Sequence, residues 1–93
     1  MAFDSVLKDI RNGGQETLLA IYRQHRNEFL TWATFHYSCS EAEAKDVFQD
    51  SVIVFYENVK NGQLTYLTCD LKTYIFGIGK YKLLNLAKKN ARM

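Results

Sequence analysis

His36 and Cys39 stand as H-x-x-C, and Cys69 follows further along the chain, so three residues of metal-ligating type are present. Three ligands without a second paired spacing fall short of the tetrahedral set that zinc takes. His25 and His36 also both fall on what reads as the core-facing stripe of a helix, where packing is their commoner role. No metal and no other cofactor is expected. Gly77-Ile-Gly79 lies in a helical pattern, follows no strand, and lacks both the third glycine of a dinucleotide fingerprint and the Gly-Lys-Ser/Thr of a phosphate loop. No serine, cysteine or carboxylate pair forms a catalytic set. We therefore expect no enzymatic activity.

The residues that can do chemistry are the cations and rings of Leu71 to Arg92. On a helix, Leu71, Ile75, Ile78, Leu83 and Leu86 fall near one side, and Lys72, Lys80, Lys82, Lys88, Lys89 and Arg92 surround the rest. Tyr74, Phe76 and Tyr81 are interleaved with the first of these cations. Such a helix can dock on a core while presenting charge and π-faces to phosphates and unstacked bases. The competing reading is an ordinary solvated amphipathic helix with surface lysines. Two glycines inside a helix cost about 1 kcal/mol each relative to alanine. A close approach by another backbone is the simplest compensation for Gly77 and Gly79.

A second constellation is acidic. Asp46, Gln49, Asp50, Ile53 and Glu57 share one helix face, opposite an apolar stripe of Ala44, Val47, Phe48, Ser51, Val52, Phe55 and Val59. Acids and an amide around an exposed isoleucine make a docking surface for a basic partner, with a solvated face as the bland alternative. The charge distribution follows the same division. Residues 1–40 carry four cations and four anions, residues 41–62 carry two against five, and residues 63–93 carry six against one. An acidic middle and a basic end point to two surfaces with different partners.

The elements that must position these groups are helices. The 93 residues make one domain at most, with 47% hydrophobic and 14% aromatic content and no proline. A chain of this size buries roughly 60–65% of its unfolded surface, enough for one small core. Asp4 or Ser5 can cap a short helix through Val6, Leu7 and Ile10, which Gly13-Gly14 stops. A long helix from about Gln15 to Tyr37 turns Leu18, Ile21, Tyr22, His25, Phe29, Trp32, Ala33 and His36 to the core. Ser40-x-x-Glu43 is a capping box that opens a third helix from Glu41 to about Lys60. Ser51-Val-Ile-Val-Phe-Tyr56 is rich in β-branched residues and could be read as a strand. The capping box and the core stripe favour helix. Gln63 to Asp70 reads as a polar loop, with Asp70 or Thr68 capping the last helix. No apolar run approaches the roughly 20 residues that span a membrane. The N-terminus lacks a secretory signal and the two cysteines suit a reducing compartment, so a cytoplasmic protein without membrane insertion is expected.

The acidic segment Glu43-Ala-Lys-Asp-Val-Phe-Gln-Asp-Ser-Val-Ile-Val-Phe-Tyr56 resembles the D-A-E-D-L-x-Q-E/D-x-F-x-x-x-W/Y signature of bacterial sigma factors. More narrowly, it is similar to region 2 of the extracytoplasmic-function group of the sigma-70 family. Leu18-x-x-Ile-Tyr-x-x-His-x-x-x-Phe-Leu-x-x-Ala33 resembles that family's opening helix. Leu71-Lys-Thr-Tyr-Ile-Phe-Gly-Ile-Gly-Lys80 resembles its F-R-x-W-L-Y-x-I-A-R/K helix. The three patterns come in the family's order and cover nearly the whole chain.

The resemblance implies an all-α, single-domain bundle (residues 1–93) of three longer helices plus a short N-terminal one. It implies that Asp46, Gln49, Asp50 and Ile53 dock on the β′ clamp helices of core RNA polymerase. It also implies that Tyr66, Leu67, Thr68, Lys72, Thr73, Tyr74, Gly77, Lys80 and Tyr81 hold the displaced non-template strand of the promoter −10 element. An anti-sigma factor is a further possible partner. This chain departs from the family's pattern in that Tyr74 stands for the usual tryptophan, Gly77 for a common basic residue and Tyr81 for a frequent asparagine. The helix-turn-helix of region 4 is absent, and residues 88–93 resemble the start of the basic linker to it, as in a truncated form. Two other readings compete: a helical protein-interaction adaptor, and a generic single-stranded nucleic-acid-binding domain.

Overall fold

The computed structural model describes the backbone of residues 2–91 and the side chains of residues 7–89. Four helices follow one another: α1 (Ala2–Arg11), α2 (Gln15–Tyr37), α3 (Glu41–Lys60) and α4 (Leu71–Ala91). Among the described residues there is no strand. Among them, too, no helix is long and apolar enough to cross a membrane.

Local chemistry sets most of the boundaries. Gly13, at φ 89°, turns the chain out of α1, and the Gly14 N–H donates to the Asp9 carbonyl at 2.8 Å. Ser38 takes the left-handed conformation (φ 51°) that ends α2. The capping box is complete: the Glu43 N–H donates to Ser40 Oγ at 3.1 Å, and the Ser40 N–H donates to Glu43 Oε1 at 2.9 Å. With its first turn fixed, the β-branched run continues as helix, and Ser51 Oγ donates to the Val47 carbonyl at 2.7 Å. Past α3, Gly62 (φ 81°) reverses the chain, and the Leu64 N–H returns to the Asn58 carbonyl at 2.9 Å. The Asp70 carbonyl accepts from the Tyr74 N–H at 2.9 Å, which places Asp70 at the start of α4.

α3 is the central element, packed against each of α1, α2 and α4. Its expected stripe is buried residue for residue: Ala44, Val47, Phe48, Ser51, Val52, Phe55 and Val59. Leu7 and Ile10 of α1, Phe29 and Ala33 of α2, and Ile75 and Leu83 of α4 complete one apolar cluster. Leu64 and Leu67 of the 61–70 loop pack against it from one side. Four rings run through this core: Phe48 to Phe29 at 5.0 Å between centroids, Phe29 to Phe76 at 5.1 Å, and Phe76 to Trp32 at 5.2 Å. Contacts of this geometry add to plain area burial.

Two expectations about the helices need correction. α1 begins at Ala2, so Asp4 and Ser5 lie within the helix instead of capping it; Ala2, of the best helix-forming type, extends it past them. His36 is exposed, because the last turn of α2 meets the core through Ala33 and Tyr37 and turns His36 away from it, and Phe35 beside it is 81% exposed. Leu30 is buried in the stripe's place. α4 runs through Ala91, with Lys88 and Lys89 in its last turn where cations suit the helix dipole. Arg92 and Met93 lie outside the described residues.

Candidate nucleic-acid interface and acidic face

α4 carries its apolar residues Leu71, Ile75 and Leu83 into the core, and this fixes which residues of the helix face outward. Its two glycines behave differently. A Cβ on Gly79 would stand 2.4 Å from Phe29 Cε2, so this glycine is where α4 comes down on the core. The close neighbour is a ring, not the backbone that the sequence suggested. A Cβ on Gly77 would meet nothing within 4 Å, and this glycine is exposed.

Gly77 lies between two hollows. The larger, about 610 Å³, runs along α4 and is lined by Thr73, Tyr74, Gly77, Ile78, Tyr81, Lys82 and Asn85, with Val54 from α3. The smaller, about 270 Å³, is lined by Lys72, Thr73, Phe76, Gly77 and Lys80 of α4 and by Trp32 of α2. Six of the expected nucleic-acid residues (Lys72, Thr73, Tyr74, Gly77, Lys80, Tyr81) therefore gather around two adjoining depressions. The other three, Tyr66, Leu67 and Thr68, sit in the loop before α4 and line neither. Tyr66 and Thr68 are exposed there, while Leu67 faces the core and anchors the loop.

The groups differ in availability. Tyr81 is 69% exposed. Tyr74 is half-buried: its ring lies 5.9 Å from that of Phe55, and its hydroxyl accepts from Asn58 Nδ2 at 3.2 Å. Lys80 is exposed. Lys72 is already engaged, since its Nζ binds Glu28 Oε1 of α2 and stands 5.6 Å from the Phe76 ring centroid. Both partners of that ion pair are well exposed, so the pair contributes little to stability. His25 lies near this pair. Burial lowers its pKa, Glu28 pushes it up and Lys72 pushes it down.

On α3, Asp46, Gln49, Asp50 and Ile53 are all exposed, as a docking face requires. They look two ways. Gln49 and Ile53 border an apolar groove of about 320 Å³ with Leu18, Leu19, Tyr22 and Val52. Asp50 borders a hollow of about 340 Å³ that it shares with Lys82 and Lys89 of α4. The acidic and basic surfaces are thus neighbours across the α3–α4 seam.

Trp32 and Asn85 join the basic site without having been picked out in the sequence, while Phe76 and Lys82, noted there among the rings and cations of this helix, join it as well. Trp32 reads there as core. Its partner Phe76 lies on another helix, and only tertiary packing brings the two rings together. Among the described residues no three His, Cys, Asp or Glu side chains are placed to hold a metal. His36 and Cys69 are exposed, and Cys39 is half-buried with its thiol pushed up by burial, the opposite of what a metal-binding thiolate needs.

No family model matches the chain, and no curated protein or solved structure matches it either.

Proposed function

We propose that this chain is a promoter-recognition domain of the sigma-70 type, similar to region 2 of the extracytoplasmic-function group. It binds core RNA polymerase through α3 and a melted −10 strand through α4, and performs no catalysis of its own. The observation that carries the reading is the surfacing of α4: Thr73, Tyr74, Gly77, Lys80 and Tyr81 meet at one edge while Leu71, Ile75 and Leu83 hold the helix to the core. Cations beside open rings suit a single strand, whose phosphates need neutralising and whose bases need a stacking surface. The exposed Asp46, Gln49, Asp50 and Ile53 supply the second, protein-docking surface that a generic strand binder would not need. On this reading the protein works in the cytoplasm, and an anti-sigma factor would compete for the same faces.

The test is co-purification with core polymerase, followed by binding to a panel of single-stranded −10-like oligonucleotides. Polymerase capture with base-dependent binding supports the reading. Strand binding without polymerase capture reduces it to a generic single-strand binder, and protein capture without strand binding reduces it to an adaptor.

A further inference from the structure

The smaller hollow, on the Trp32 side of α4, has the parts of a stacking site. Trp32 and Phe76 stand 5.2 Å apart at 36°, both half-buried, and Phe76 is braced edge-on by the buried Phe29 ring. They therefore form a rigid apolar wall instead of two loose surface rings. Glu28 holds the Lys72 ammonium near this wall, and the exposed Lys80 lies on the same border. Gly77 and Thr73 border both this hollow and the larger one beside Tyr74 and Tyr81. Because Gly77 has no side chain and open space around it, it forms a low saddle between them.

We propose that the Trp32–Phe76 hollow takes an unpaired nucleobase, and that the strand carrying it crosses α4 over Gly77 from the Tyr74–Tyr81 groove. This rests on the single-strand reading above and extends it to residues of α2. Two short depressions separated by a saddle suit flat rings joined by a flexible backbone. An acidic peptide helix would need one continuous apolar groove. Stacking supplies affinity on either flank, and Lys72 and Lys80 neutralise the phosphates beside the smaller one.

Trp32 is the chain's single tryptophan, so its emission reports this hollow alone. The experiment titrates the intact protein with an end-labelled oligodeoxythymidine of about ten nucleotides, within the usual site size. Trp32 emission and label anisotropy are read together. Saturable quenching that tracks the anisotropy is expected, with no quenching by the matching duplex. Gly77→Leu should raise the saddle, remove most of the quenching and weaken binding about tenfold. Circular dichroism should be unchanged, since Gly77 is exposed and a Cβ there meets nothing within 4 Å. Binding with unaltered Trp32 emission would confine the strand to the Tyr81 side and overturn this inference while leaving the proposed function standing. Quenching that persists undiminished in a folded Gly77→Leu protein would overturn the crossing. An equal emission change with poly-glutamate would make the hollow a general anion site and overturn the nucleobase assignment. Absence of any binding would overturn both readings.

Discussion

The Phe29 ring lies directly against the backbone of Gly79: a Cβ at that position would stand 2.4 Å from Cε2 and 2.5 Å from Cζ. The ring cannot retreat, because Phe48, Trp32 and Phe76 surround it at centroid distances of 5.0 to 5.4 Å. Gly79→Ala should therefore destabilise the fold by about 1–3 kcal/mol through overpacking, despite alanine's better helix propensity. Gly77→Ala, two residues away and open to solvent, should stabilise it by up to about 1 kcal/mol. Urea denaturation of the two variants checks the opposite signs.

Tyr81 and Tyr74 should separate binding from stability. Tyr81→Ala is expected to cost roughly 1–3 kcal/mol of single-strand affinity, with folding changed by less than about 0.5 kcal/mol. Tyr74→Phe removes the hydroxyl that accepts from Asn58 and should cost about 1 kcal/mol of stability. Thermal melts paired with oligonucleotide titrations distinguish the two, and a Tyr81→Ala protein that binds normally would remove this ring from the site.

The two lysines of the smaller hollow should not be equivalent. Lys80→Ala should lower the magnitude of the log K versus log salt slope by about 0.7, the value for one phosphate contact on a single strand. Lys72 is partly neutralised by Glu28, so Glu28→Gln should release it, tightening binding and steepening the slope. If Glu28→Gln leaves the salt dependence unchanged, Lys72 contacts no phosphate.

Asp50→Lys should leave the fold intact, since the side chain is exposed. Polymerase affinity should fall at least about tenfold if Asp50 is an interface anchor. Because Asp50 shares a hollow with Lys82 and Lys89, the same change should strengthen salt-dependent strand binding. Loss of strand binding together with intact polymerase capture would reverse the assignment of the two faces.

His25 makes stability depend on pH. Burial, the largest influence on it, lowers its pKa from the ordinary 6.5, so the folded state takes up its proton less readily than the unfolded chain does. The contribution of neutral His25 is complete above about 6.5, and it is lost as pH falls from there toward the lowered folded value. The melting temperature should drop across that window in the wild type and less in His25→Gln. Parallel melts from pH 7.5 to 5 test this.

The helices were legible where local chemistry and periodicity agreed. On α3, Ser40 and Glu43 fix the start, and apolar residues at steps of three and four select the buried face. The bounds of α2 were legible, but His36 was misread, because periodicity marks a face and not how much of it the neighbouring helices cover. His36 falls on the stripe by spacing, yet it is exposed while its neighbour Tyr37 packs against the core. The acidic face was legible as the complement of a clear core stripe. The basic site was legible only in its α4 half. Trp32 joins it from α2, and the pairing of Trp32 with Phe76 depends on how α4 crosses α2, which no local pattern encodes. Gly77 and Gly79 look alike in the sequence, and packing alone sends one outward and seats the other on Phe29.

The hollow that Asp50 shares with Lys82 and Lys89 puts groups of both signs around one depression, so a charge bound on either face is felt on the other. A carboxylate beside those ammonium groups reduces the attraction a passing phosphate feels. A cation brought against Asp50 by a docked partner restores that attraction, by an amount that falls as added salt screens the seam. Linkage then runs in both directions: whatever factor the docked partner adds to strand affinity, a bound strand must add to partner affinity. Cooperative assembly would follow from the placement of three side chains at one helix boundary, with no change of shape in the domain.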